Sequence, residues 1–105
     1  MYHLYFYVPK THLEQVKTAI FAAFAGKIGS YSCCAWQTEG KGQYCPLEGS
    51  SPYQGVIGKI EYVDEVKVET VCTAEVLEKV IQSLKKAHPY EMPAYGVIKL
   101  YDGNL

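Results

Sequence analysis

The chain contains no arginine; all ten of its cationic side chains are lysines. Two-pronged recognition of phosphate, carboxylate or guanine leans on the guanidinium fork, so a sequence-reading nucleic-acid protein is not expected. A formal net charge of -1 supplies no field toward nucleic acid or a membrane surface either. Long apolar runs are missing as well: nothing approaches the roughly 20 residues of a membrane span. The N-terminal stretch lacks both the charged and the apolar region of a secretory signal. Among Cys33, Cys34, Cys45 and Cys72 there is no C-x-x-C pair. They read as reduced thiols, and the expected location is cytoplasmic. No signature joins any of them to a histidine as a nucleophile, so a thiol enzyme is disfavoured.

What is present is an ordinary globular composition, 49% hydrophobic and 20% charged, over 105 residues. That length reads as one domain, residues 1–105, able to bury roughly two-thirds of its unfolded surface. Ten of the aromatic residues are tyrosines. A phenol has an apolar body and a polar tip, which suits half-wet surfaces and interfaces.

Tyr2 to Val8 alternates as a strand, with Leu4, Phe6 and Val8 on one face and His3, Tyr5 and Tyr7 on the other. Thr11 and Glu14 have capping-box spacing, and Leu13, Val16, Ile20, Ala23 and Phe24 form a helical stripe that Gly26 is expected to end. Tyr31 to Trp36 reads as a second strand, in which Cys33 and Cys34 point to opposite faces. The stretch from Gly40 to Gly58, rich in glycine, proline and serine, reads as a long loop with a short strand near Gln43 and Tyr44.

Strand character returns from Lys59 to Cys72: Ile60, Tyr62, Val66, Val68, Thr70 and Cys72 share one parity, and Glu61, Glu65, Lys67 and Glu69 the other. Thr73 is placed to cap a helix over 74–87 with a stripe of Val76 or Leu77, Val80, Ile81 and Leu84. Pro89 and Pro93 then forbid a continuing helix and force a corner, His88-Pro89-Tyr90-Glu91-Met92-Pro93. A strand from Ala94 to Tyr101 and a short polar tail close the chain.

This order of strand, helix, strand, strand, helix, strand predicts an α+β, ferredoxin-like βαββαβ fold with an antiparallel sheet and both helices on one face. The other sheet face is bare. It is expected to carry His3, Tyr5 and Tyr7, with Tyr95 and Tyr101 added by the last strand. A contiguous aromatic patch of that kind marks an interface, so a homo-oligomer is expected.

The corner His88-Pro89-Tyr90-Glu91-Met92-Pro93-Ala94-Tyr95 resembles the His-Pro-Tyr-Glu-Glu-Pro-Ala-Tyr signature of the YqfO/Nif-three-like proteins. Gly29 to Trp36 is similar to that family's Gly-x-Tyr-x-x-Cys segment. Gly40-Lys41-Gly42-Gln43-Tyr44-Cys45-Pro46 is similar to its Gly-x-Gly-x-Phe-x-Pro loop, and Val68-Glu69 to its acidic strand. Met92 stands where the signature has a second glutamate. The resemblance implies the family's insert, a CutA/PII-like domain that packs as trimers, read here as the insert alone. It also implies that a dinuclear metal site belongs to a surrounding domain that these residues do not include.

Candidate site residues follow. His88 and Glu91, with Tyr90 between them, could take a small-molecule ligand or, as imidazole and carboxylate, a divalent metal such as Zn²⁺ or Cu²⁺. The structural alternative has His88 closing the second helix and Glu91 accepting backbone amides. Glu69, in an apolar strand, needs a partner such as Lys67, Lys59 or a neighbouring subunit. Gly40, Gly42 and Gly49 could cradle an anion or dock on a neighbour. The leading expectation is a non-catalytic trimeric binding or regulatory module, with no nucleic-acid or membrane partner. A CutA-like metal-binding or metal-tolerance protein is the alternative, and a small hydrolase the second.

Overall fold

The computed structural model describes residues 1–101. Its elements are β1 (Tyr2–Pro9), a 3₁₀ turn (Lys10–His12), α1 (Leu13–Ala22), β2 (Ala35–Tyr44), β3 (Glu61–Cys72), α2 (Ala74–Ala87) and β4 (Tyr95–Lys99). The four strands form one antiparallel sheet in the order β2-β3-β1-β4. This is the ferredoxin-like arrangement that the alternation predicts.

The core forms where the inward parity of the two central strands meets the helix stripes. Leu4, Phe6 and Val8 from β1 and Val66, Val68 and Cys72 from β3 pack with Val16 and Ile20 of α1 and Val80 and Leu84 of α2. Each large side chain hidden this way contributes about 1.5–3 kcal/mol. Thr70 is buried in the same row, and its hydroxyl donates to the Cys34 carbonyl at 2.7 Å; among the described residues no buried side-chain polar atom is left without a partner.

Several local expectations are corrected. Thr11 does not cap α1: the 3₁₀ turn puts His12 at the N-cap, and the Thr11 hydroxyl lies 2.9 Å from His12 Nδ1. The helix ends before Gly26, because Phe24 itself adopts a left-handed backbone, with φ of 74°. Its ring leaves the stripe, is 61% exposed, and lies under the Lys79 ammonium. Cys33 is also left-handed and exposed, so β2 starts only at Ala35, after both adjacent cysteines.

β2 then runs through Gly40 and Gly42 to Tyr44, and the loop occupies only 45–60. Glycine reads as a breaker in sequence, yet at Gly42 it serves a close approach. A Cβ there would fall 1.7 Å from Glu65 Oε1, so Gly42 is what lets the Glu65 side chain cross β2. Ile60 and Tyr62 are exposed, unlike the rest of their parity set.

The bare face is corrected too. β4 pairs Tyr95 opposite Phe6 and Gly96 opposite Tyr5, so Tyr95 turns toward the helices. It packs on the core with Val97, and the Lys85 ammonium lies over its ring. Tyr101 is exposed beyond the end of β4. In place of these two, the bare face carries Trp36, opposite Glu69, and Ile98, opposite His3. The polar tail, 102–105, lies outside the described residues.

Two substitutions separate the expected from the observed helix ends. Leu84→Ala should cost about 2–5 kcal/mol in denaturant unfolding. Phe24→Gly should instead stabilise, by roughly 0.5–1 kcal/mol, because it removes left-handed strain and little burial. A core-sized loss in Phe24→Gly would contradict the exposed placement.

Candidate functional site

At one end of the sheet, where β4 has not yet begun, the Tyr7 amide donates to the Ala94 carbonyl at 3.3 Å. The Tyr7 carbonyl is taken by His88. Its Nε2 lies 2.7 Å from that oxygen, and the Tyr90 amide donates to Nδ1 at 3.1 Å. These partners fix the neutral tautomer with the proton on Nε2, since Nδ1 must accept. The imidazole is 6% exposed, and this burial lowers its pKa; the Tyr7 carbonyl opposes the shift and His12 adds to it.

Pro89 and the His88 clasp aim the rest of the corner past the sheet edge. The Tyr90 ring packs at a tilt, its centroid 4.9 Å from that of His88, 5.6 Å from that of Tyr44 and 6.2 Å from that of Tyr53. Its hydroxyl donates to Glu65 Oε2 at 2.9 Å. Burial, then the bond to Glu65, drive the Tyr90 phenol well above its ordinary pKa. Burial and the nearby Glu61 and Glu65 push Tyr44 up as well.

The loop closes from the other side. Glu91 Oε1 accepts the Ser51 amide at 3.0 Å, the Tyr44 hydroxyl donates to the Gln54 carbonyl, and the Gly58 amide donates to the Pro46 carbonyl. Corner, loop and the ends of β2 and β3 enclose a cleft of about 400 Å³. Tyr44, Tyr53, Tyr90, Glu65, Glu91 and Met92 are among its walls.

The predicted residues therefore part company. Tyr90 and Glu91 both line the cleft, but His88 turns inward to β1 and the Glu91 carboxylate is tied to the loop, so His88 and Glu91 do not converge on one ion. With both ring nitrogens engaged, His88 offers no lone pair to a metal. Among the described residues, no group of three His, Cys, Asp or Glu side chains could hold one. Glu69 lies elsewhere, on the bare face, 3.3 Å from His3 Nε2 and 3.9 Å from Lys67 Nζ. Gly40 and Gly42 are strand residues, and Gly49 sits in an exposed turn of the loop. Glu65, Tyr44 and Tyr53 were missed as site residues. Only the glycine at 42, facing a strand that carries Glu65, signals their meeting in sequence.

No family model matches the chain. A "GTP cyclohydrolase 1 type 2 homolog" from Halalkalibacterium halodurans is 43% identical over 100 residues, 95% of this chain but 27% of that protein. The chain is a homologue of that one segment. The counterpart from Bacillus subtilis is 47% identical over 91 residues, 87% of this chain and 24% of the relative. The chain thus spans about a quarter of the length of the curated relatives it matches.

Among solved structures, the Bacillus cereus protein related to NIF3 superposes with a TM-score of 0.81 at 41% identity, over 97% of this chain and 26% of its own. The YqfO/Nif-three-like resemblance holds. CutA1 from Pyrococcus horikoshii gives 0.68 at 25% identity, covering 99% of this chain and 87% of its own. The PII-like protein CutA from Nostoc gives 0.67 at 18% identity over 95% and 81%, a likeness of fold alone. The fold is CutA/PII-like.

Because the folded pKa of His88 is depressed, its contribution is complete above the unfolded value, near pH 6.5, and is lost as pH falls through the lower folded one. His88→Gln should cost about 1–3 kcal/mol at pH 8. The gap between variant and wild type, measured by denaturant unfolding, should shrink as pH drops below about 6.5. A gap that widens toward acid would contradict a neutral, buried imidazole.

Proposed function

We propose that this domain is a non-catalytic binding module that assembles as a homotrimer through the bare face of its sheet. The observation that carries the proposal is that face itself. His3, Tyr5, Tyr7, Trp36 and Ile98 share it, with Trp36 70% and Ile98 54% exposed, and neither helix lies over it. Tyr5 lies across Gly96, where a Cβ would meet the phenol at 2.3 Å, so the patch is flat where β4 joins it. Lys67 reaches over the Tyr5 and Tyr7 rings, and Glu69 pairs with His3, leaving few free charges in the patch.

Burying several such rings per subunit, at about 1.5–3 kcal/mol each, exceeds an association cost of at least about 4 kcal/mol. The ten residues of β2 form an exposed edge strand as well. Soluble proteins leave such an edge open at the risk of uncontrolled pairing. A closed ring of three copies covers both features with one repeated contact, and it agrees with the trimers implied by the resemblance.

Absence of catalysis is supported by how the corner is used. His88, Tyr90 and Glu91 all hold backbone or side-chain partners within the chain, so none is poised as a free base or nucleophile.

Sedimentation at micromolar concentration should give three times the chain mass of 11.8 kDa. Trp36→Glu, a change at an exposed position, should yield a monomer whose circular dichroism matches wild type. A monomeric wild-type protein, or a Trp36→Glu variant that keeps the trimer mass, would overturn the assembly proposed here.

A further inference from the structure

The cleft between the corner and the 45–60 loop has a chemistry that selects the sign of what enters it. Its walls are largely phenol rings, prolines and a methionine, with Gln43 and Ser50 as neutral polar members; among the described residues its only charged side chains are the carboxylates of Glu65 and Glu91. Among the described residues, no lysine or histidine lines it. Glu65 is half-buried, bonded to the Tyr90 hydroxyl, and makes no ion pair among the described residues. A carboxylate held against apolar walls without a counter-charge is costly, and a bound cation would offset that cost.

We propose that this cleft binds a small organic cation, its charged group seated among the rings of Tyr44, Tyr53 and Tyr90 and facing the Glu65 carboxylate. Aromatic faces attract an ammonium group through the ring quadrupole, and methyl groups on the nitrogen match the apolar walls. A volume of about 400 Å³ is within the range of small-molecule sites. Two carboxylates, one of them tied to Ser51, fall short of the six or more oxygens that a hard metal ion takes. An anion finds no cationic side chain there.

The positions of the walls follow from interactions already described. Gly42 leaves room for the Glu65 side chain, and Tyr90 remains a protonated donor that orients the carboxylate. Glu91 holds the loop by the Ser51 amide, and the Tyr44 hydroxyl holds it at Gln54. The proposal rests on the reading of this domain as a binding module. Every wall comes from one chain, and Tyr7 is both a wall and a member of the face assigned to the trimer, so binding is measured in the assembled and the monomeric protein.

The test uses choline and its uncharged isostere 3,3-dimethylbutan-1-ol, titrated by calorimetry into wild type, Glu65→Gln and Trp36→Glu. Choline should bind wild type at least about tenfold more tightly than the alcohol, the scale of a desolvated cation–aromatic contact plus a facing charge. Glu65→Gln, which still accepts the Tyr90 hydroxyl, should lose that preference while binding the alcohol unchanged. Tyr53→Leu should weaken choline several-fold, as a second probe of the ring wall. Trp36→Glu lies on the other patch and should bind choline as wild type does, whatever its mass. Equal affinity for the two probes, an unaltered preference in Glu65→Gln, or no choline binding at millimolar concentration would each overturn the proposal. None of these outcomes bears on the sedimentation result.

Discussion

One imidazole holds the end of this fold together. His88 ends α2 and reaches across to β1, where its Nε2–H donates a hydrogen bond to the Tyr7 carbonyl at the point where the ladder to β4 stops. It then accepts the Tyr90 amide, so the corner is bent back over the same ring. A buried backbone carbonyl without a partner costs about 1–3 kcal/mol, and here a side chain takes the place of a ladder amide. Everything in the cleft is downstream of that clasp. Tyr90 is aimed at Glu65, Glu91 at the loop, and Pro93 releases the chain into β4 next to the strand His88 has just engaged.

The two faces of the sheet then divide the labour. The helix side holds the core, where valines and leucines of β1 and β3 meet α1 and α2. The other side holds rings and the few charges that pair among them. Two glycines shape it: Gly42 admits the Glu65 side chain and Gly96 admits the Tyr5 ring. That second face carries Tyr5, Tyr7 and Trp36 beside Ile98, with neither helix packed on it.

Much of this was legible in the residues. The alternation of β1 and the stripe of α2 placed the core correctly, because strong period-two and helical patterns are set by burial itself. The corner was legible because two prolines leave little conformational choice. Where the reading failed, the cause was pairing at long range. Tyr95 was placed on the bare face, yet register with β1 sets it opposite Phe6; Val97 of the same parity was the available sign. Gly40 and Gly42 looked like loop residues, because a breaker and a seat for a crossing side chain have the same letter. Phe24 looked like core, because its apolar spacing says nothing of the left-handed turn that swings it outward. The candidate site was legible only in part: Tyr90 was identified, whereas Glu65, Tyr44 and Tyr53 come together from strands and a loop far apart in sequence.

The most direct test of the clasp is the nitrogen-15 spectrum of the histidine rings as pH is lowered from 8 to about 5. His88 is expected to titrate below the ordinary imidazole value, with its proton on Nε2 and slow to exchange. A His88 that titrates at or above the ordinary imidazole value, or carries its proton on Nδ1, would contradict a buried, neutral clasp.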